Sequence, residues 1–136
     1  MTPDPSRPIE SLKLLVVEDN AFTAITVRKT LESLGVQHMQ FAGNGQEALE
    51  FLDSSDQPPD VMLVDLRMPG MGGLALLSRL EDRHYSGYII VTSGVDAETM
   101  NSVQEFALRS NIRVLGFLQK PLKADVLKNL LENRAG

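Results

Sequence analysis

Apolar residues in this chain fall into short continuous runs that alternate with stretches of helical period. The run LKLLVV, from Leu12 to Val17, is nearly unbroken, as in a strand buried on both faces. Downstream, Ala24, Val27, Leu31 and Leu34 recur at near-helical spacing, with Asn20 placed to cap that helix and Gly35 to end it. A weaker strand, Val36 to Ala42, leads to Gly43-Asn44-Gly45. Asn44 and Glu47 have the spacing of a capping box ahead of Ala48, Leu49 and Leu52. Pro58-Pro59 then breaks the chain before the strand VMLV, Val61 to Val64.

The alternation continues to the end. A Gly-rich turn, Gly70 to Gly73, precedes a helix through Leu74, Leu77 and Leu80. The strand YIIVT, Tyr88 to Thr92, precedes a helix through Met100, Val103, Phe106 and Ala107. A last strand, Ile112 to Leu118, is followed by a helix through Val126, Leu127, Leu130 and Leu131. Five β units alternating with five α units predict an α/β fold, a parallel five-stranded sheet with helices on both faces. Residues 1 to 11 hold three of the seven prolines and little that is apolar, so a flexible tail is expected there. The folded unit is expected over 12–132, with a short C-terminal tail over 133–136.

Composition narrows the function. A net charge of −5 argues against a nucleic-acid face, which calls for a basic patch. Without cysteine there is no disulfide framework and no thiolate metal site. No apolar run reaches the roughly 20 residues that span a bilayer, and the start, MTPDPSRP, lacks the layout of a secretory signal. A cytoplasmic location is the expectation.

In open parallel sheets, ligands collect outside the carboxyl ends of the strands. Here those ends carry Glu18-Asp19, Asp65, Thr92-Ser93 and Lys120-Pro121. Two carboxylates about 4 Å apart repel by roughly 1 kcal/mol in water and about 4 kcal/mol at an effective dielectric near 20. Three together call for a cation, and a set of hard oxygen ligands suits Mg²⁺. Capping of the first helix is the plainer role for Asp19 and Asn20. Asp65 follows four apolar residues and precedes Leu66-Arg67-Met68-Pro69-Gly70, a turn that ends the strand. A carboxylate so placed can serve as a nucleophile that forms an acyl phosphate. Lys120 brings a compact positive charge suited to a phosphoryl group, and Thr92 a hydroxyl.

With these positions assembled, the chain resembles the CheY-like receiver domains of two-component response regulators from Leu12 to about Leu131. The matching segments are LLVVEDN, VDLRMPGMGG, IIVTSG and FLQKP, in that order. The resemblance implies a flavodoxin-like (βα)5 three-layer sandwich with strand order 2-1-3-4-5; a chemotaxis receiver is itself a standard example of that order. It implies that Asp65 is the phosphoacceptor and that Glu18, Asp19, Asp65 and the backbone carbonyl of Arg67 hold Mg²⁺. Thr92 matches the switch hydroxyl, Lys120 the lysine that meets the phosphoryl group, and Phe117 the aromatic switch position. Strand period puts Phe117 and Lys120 on opposite sheet faces.

The implied partners are a histidine kinase or histidine phosphotransfer protein as donor and an effector domain or protein as output. A homodimer through the face of helix 4, strand 5 and helix 5 is a further option the family offers. Nucleic acid and membrane are not expected partners. Beyond catalysing its own phosphorylation and dephosphorylation, such a domain is not an enzyme.

The segment from Thr92 to Lys120 is longer than is usual in the family, so an extended fourth helix or following loop is expected. The stretch SGVDAETMNSVQEFALRSNIRVLGFLQKPL is also similar to receivers attached to EAL-type cyclic-di-GMP phosphodiesterase domains. Arg67 and Gly94 are placed to tune phosphoryl lifetime, while His38 and His84 read as surface residues. Met68 and Met71 read as turn packing or a partner contact. A dehalogenase-like phosphatase is excluded, because Arg67 stands where its second aspartate belongs and Asp65 follows the third strand.

Overall fold

The structure, a computed structural model, describes residues 8–67, 70–94 and 97–133. Five strands, β1 (Lys13–Val17), β2 (His38–Ala42), β3 (Val61–Asp65), β4 (Tyr88–Ser93) and β5 (Arg113–Gln119), pair in parallel in the order β2-β1-β3-β4-β5. Between and after them run α1 (Ala21–Ser33), α2 (Gly45–Ser54), α3 (Gly73–Asp82), α4 (Ala97–Arg109) and α5 (Ala124–Glu132). The flavodoxin-like order expected from the resemblance is the order observed.

Two-residue alternation divides the sheet between two cores. Leu15, Val17, Met62, Val64, Ile89 and Val91 point to one side, where Leu49, Leu76, Leu77, Leu80 and Val103 of α2, α3 and α4 cover them. Leu14, Val16, Val61, Leu63, Tyr88 and Ile90 point to the other, against Val27 and Leu31 of α1 and Leu127 and Leu131 of α5. Burial on both faces explains why β1, β3 and β4 are apolar without alternation.

Local chemistry sets the helix ends. The Asn20 side chain accepts from the Thr23 N–H at 3.0 Å, and that of Asn44 accepts from the Glu47 N–H at 2.8 Å. Glu47 reaches back to the Gly43 N–H at 2.9 Å, which completes the reciprocal box. Gly35, at φ +92, closes α1, its N–H donating to Glu32 and that of Val36 to Leu31. The same bonds delay β2. Val36 was expected to open the strand, but its N–H is committed to the helix, so pairing begins at His38.

Three further expectations are corrected. Within the presumed tail, Ile9–Ser11 form a 3-10 turn, and Ile9 is buried beside Leu12 and Val36. A lone apolar residue among polar ones hid this turn; residues 1–7 lie outside the described residues. In α3 the core position is Leu76, while Leu74 is 42% exposed; four leucines in seven positions left the phase ambiguous. In α5, Val126 turns to solvent. The long segment before Lys120 is taken up by the thirteen residues of α4 and by β5, whose pairing with β4 shifts register between Ile89 and Ile90. His38 and His84 are exposed, as expected.

Tyr85 fastens the end of the sheet away from the carboxylates. Its hydroxyl donates to the Pro59 carbonyl at 2.8 Å, and burial, with the Asp60 charge adding, raises its pKa well above the usual phenol value. The folded state therefore holds the phenolic proton more tightly. The associated stability is fully present below the ordinary phenol range, near pH 10, and is lost as the pH rises above it. Tyr85→Phe is expected to cost about 1 kcal/mol at neutral pH and to flatten the loss of stability between about pH 9 and 11. Urea denaturation across that range measures both effects.

Candidate functional site

The strand order reverses between β1 and β3, and the carboxyl ends of these strands define the site. Each strand end is tied to its neighbour. The Glu18 N–H donates to Ala42 at 3.0 Å, the Leu66 N–H to Thr92 at 3.0 Å, and the Lys120 N–H to Ser93 at 2.9 Å. Asp65 lies in register with Thr92 across the β3–β4 pair. Gly73, at the start of α3, permits a further close approach, because a Cβ there would stand 2.7 Å from the Leu66 Cα. Leu66, directly after Asp65, is thus clamped from both sides.

Glu18, Asp19 and Asp65 each offer a carboxylate oxygen, and these oxygens lie within 4.8 Å of one another. Glu18 and Asp65 are buried and Asp19 is exposed. The ammonium of Lys120 donates to Glu18 Oε1 at 2.6 Å and to Asp65 Oδ2 at 2.9 Å. The remaining oxygens receive backbone donors, Asn20 N–H to Glu18 Oε2 at 3.1 Å and Arg67 N–H to Asp65 Oδ1 at 3.2 Å. Burial pushes the Glu18 pKa above the usual carboxylate value, against the Lys120 and Asn20 bonds that lower it. Burial alone would lower the Lys120 pKa, but its bonds to Glu18 and Asp65 outweigh that, and the net shift is upward. The ammonium is therefore firmly charged. Three carboxylates around one ammonium leave two negative charges uncompensated, which favours a further cation.

The sequence-derived positions Glu18, Asp19, Asp65, Thr92 and Lys120 thus meet at one rim. Phe117 stands apart, half-buried in the core under α2, α3 and α4, whereas Lys120 lines a groove beside α1. Arg67 is exposed just beyond Asp65, and a side chain at Gly94 would meet nothing within 4 Å. Met71 packs over Gly45 at the start of α2; Met68 lies outside the described residues.

One feature of this rim was not anticipated from the sequence. Phe22 (81% exposed), Thr23, Thr26, Val27 and Thr30 of α1 face Lys120, Pro121 and Leu122 across a groove of about 260 Å³. Thr26 and Thr30 turn their hydroxyls back to helix carbonyls. The sequence signal for it is that Phe22, at the start of α1, is apolar yet falls outside the buried stripe of Val27 and Leu31. A larger cavity, about 600 Å³, lies at the opposite end of the sheet beside Lys13 and His38, remote from the carboxylates.

From residue 14 to residue 132 the sequence matches the family described as "Response regulator receiver domain". The chain belongs to that family. The DNA-binding transcriptional regulator NtrC of Escherichia coli is 35% identical over 118 residues, 86% of this chain and 23% of that protein. The osmosensing histidine protein kinase of Saccharomyces cerevisiae is 32% identical over 124 residues, 89% of this chain and 10% of that protein. The chain therefore spans less than a quarter of either relative. Among solved structures, a response regulator receiver protein from Pseudomonas putida superposes with a TM-score of 0.76 at 29% identity, covering 90% of this chain and 96% of that one. As a receiver domain, the chain has its role in two-component signal transduction. Among the described residues, no helix of this receiver is long and apolar enough to cross a membrane.

Proposed function

We propose that this receiver accepts a phosphoryl group on Asp65 from a phosphohistidine of a histidine kinase or histidine phosphotransfer protein, with Mg²⁺ at the carboxylate cluster. The observation that carries the reading is the convergence of Glu18, Asp19, Asp65 and Lys120 at the sheet's switch point. The donor set fits Mg²⁺, being all hard oxygen with two charges to neutralise. Glu18, Asp19, Asp65 and the Arg67 carbonyl would hold it. When bound, it supplies charge neutralisation for the transferring phosphoryl oxygens.

The chain's own residues do the rest. The Asp65 carboxylate attacks phosphorus, an O–P bond forms as the P–N bond to imidazole breaks, and the imidazole departs with the bonding pair. Lys120 offsets charge on the new acyl phosphate. The apolar groove from Phe22 to Leu122 shares Lys120 with the cluster, which supports it as the surface on which the donor protein lands. Thr92, in register with Asp65, would turn its hydroxyl toward the phosphoryl group, and Phe117 would repack inward. Phosphorylation then biases a two-state equilibrium at the α4–β5 surface, which would present itself to an effector or a second copy. Arg67 and Gly94 would set how readily water reaches the acyl phosphate. The domain would act in the cytoplasm and catalyse only its own phosphorylation and dephosphorylation. Attachment to a cyclic-di-GMP phosphodiesterase rests on the Ser93 to Leu122 segment alone.

Incubation with acetyl phosphate and Mg²⁺ tests the reading. Intact-mass measurement is expected to register one added phosphoryl group, lost when Mg²⁺ is replaced by excess chelator. An unchanged mass with Mg²⁺ present would contradict the assignment.

A further inference from the structure

The Lys120 backbone is anchored to Ser93 on β4, yet its side chain passes Asp65 on β3 and reaches Glu18 beyond β1. The ammonium lies closer to Glu18, 2.6 Å, than to Asp65, 2.9 Å. Both acidic side chains are almost wholly removed from water, at 3% and 4% exposure. Glu18 is held on its other oxygen by the Asn20 N–H, so its carboxylate is fixed, and among the described residues its adjustable partner is Lys120. Asp19, exposed, stands outside these bonds.

We propose that Glu18 is the positioning residue for Lys120: it draws the ammonium across the site in the cation-free domain, and a divalent cation and Lys120 are alternative counter-ions for this one carboxylate. The idea rests on the reading of the cluster as a Mg²⁺ site and adds its regulation. A cation that takes Glu18 as a partner releases Lys120 toward Asp65, where the phosphoryl group is received. Cation loading and delivery of the lysine become one coupled event, and Lys120 sets the Mg²⁺ concentration at which it happens.

The test is a double-mutant cycle read by calorimetric titration of Mg²⁺ alone into the full chain, for wild type, Glu18→Gln, Lys120→Met and the double variant. Lys120→Met is expected to tighten Mg²⁺ binding roughly tenfold when Glu18 is present, and at most about threefold in the Glu18→Gln background, where only the Asp65 contact is lost. Lys120→Gln, neutral but still able to donate a hydrogen bond, is expected to follow Lys120→Met. Equal tightening in both backgrounds would overturn the positioning role and leave the cation site standing. Failure of the wild type to bind Mg²⁺ would overturn both. In the cation-free protein, acylation of the Lys120 amine is expected to speed up several-fold in Glu18→Gln; an unchanged rate counts against the pairing.

Discussion

Asp65→Asn is expected to abolish phosphoryl incorporation from acetyl phosphate and Mg²⁺ while leaving the fold intact. The amide keeps the shape of the side chain and its acceptor oxygen for the Arg67 N–H. It loses the nucleophilic carboxylate, and the buried neighbour Glu18, bound at both oxygens, is not placed to replace it. The loss should be at least about a thousandfold, as for other groups that form the covalent bond themselves. Removal of one negative charge from the cluster should also weaken Mg²⁺ by roughly tenfold or more. Intact mass after a fixed incubation reads the first effect and calorimetry the second. Undiminished labelling of the variant would rule Asp65 out.

The second large effect belongs to Lys120. With Lys120→Met, Glu18 and Asp65 remain as two buried carboxylates without their shared ammonium. Loss of one member of a buried pair costs about 3–5 kcal/mol; Lys120 keeps 22% side-chain exposure, so about 2–3 kcal/mol is expected in cation-free buffer at neutral pH. Saturating Mg²⁺ should restore about half of that, roughly 1.4 kcal/mol for tenfold tighter binding, because the ion supplies the missing charge and so stabilises the variant more than the wild type. Urea denaturation with and without Mg²⁺ gives both numbers. A variant as stable as wild type without the ion would mean that water already screens the pair.

The parts of the fold legible in the sequence were those where burial leaves no choice. β1, β3 and β4 are covered on both sides and so spell continuous apolar runs, and Asn20, Asn44 and Gly35 mark helix ends through bonds made within a few residues. Strand order was not written in any spacing; it came with the family resemblance. The burial of Ile9 is not legible because a single apolar residue carries no period, and that of Leu76 rather than Leu74 is not, because leucine at 74, 76, 77 and 80 fits more than one helix phase.

The site was legible as a set of strand-end residues and not as a geometry. Asp65 and Thr92 announce themselves by ending apolar runs. The Glu18–Lys120 bond joins residues 102 positions apart, and no local signal reports it. The α1 groove is not legible for a related reason: Phe22 is apolar but off the buried stripe, and its meaning depends on Leu122 being brought alongside.

The most direct measurement is the position of the phosphoryl group itself. Protein treated with acetyl phosphate and Mg²⁺ is trapped with hydroxylamine, which converts an acyl phosphate to a hydroxamate, and the peptides are sequenced by mass spectrometry. A hydroxamate on Asp65 alone, absent without acetyl phosphate, is the predicted result. Modification at another carboxylate with Asp65 untouched would contradict the account.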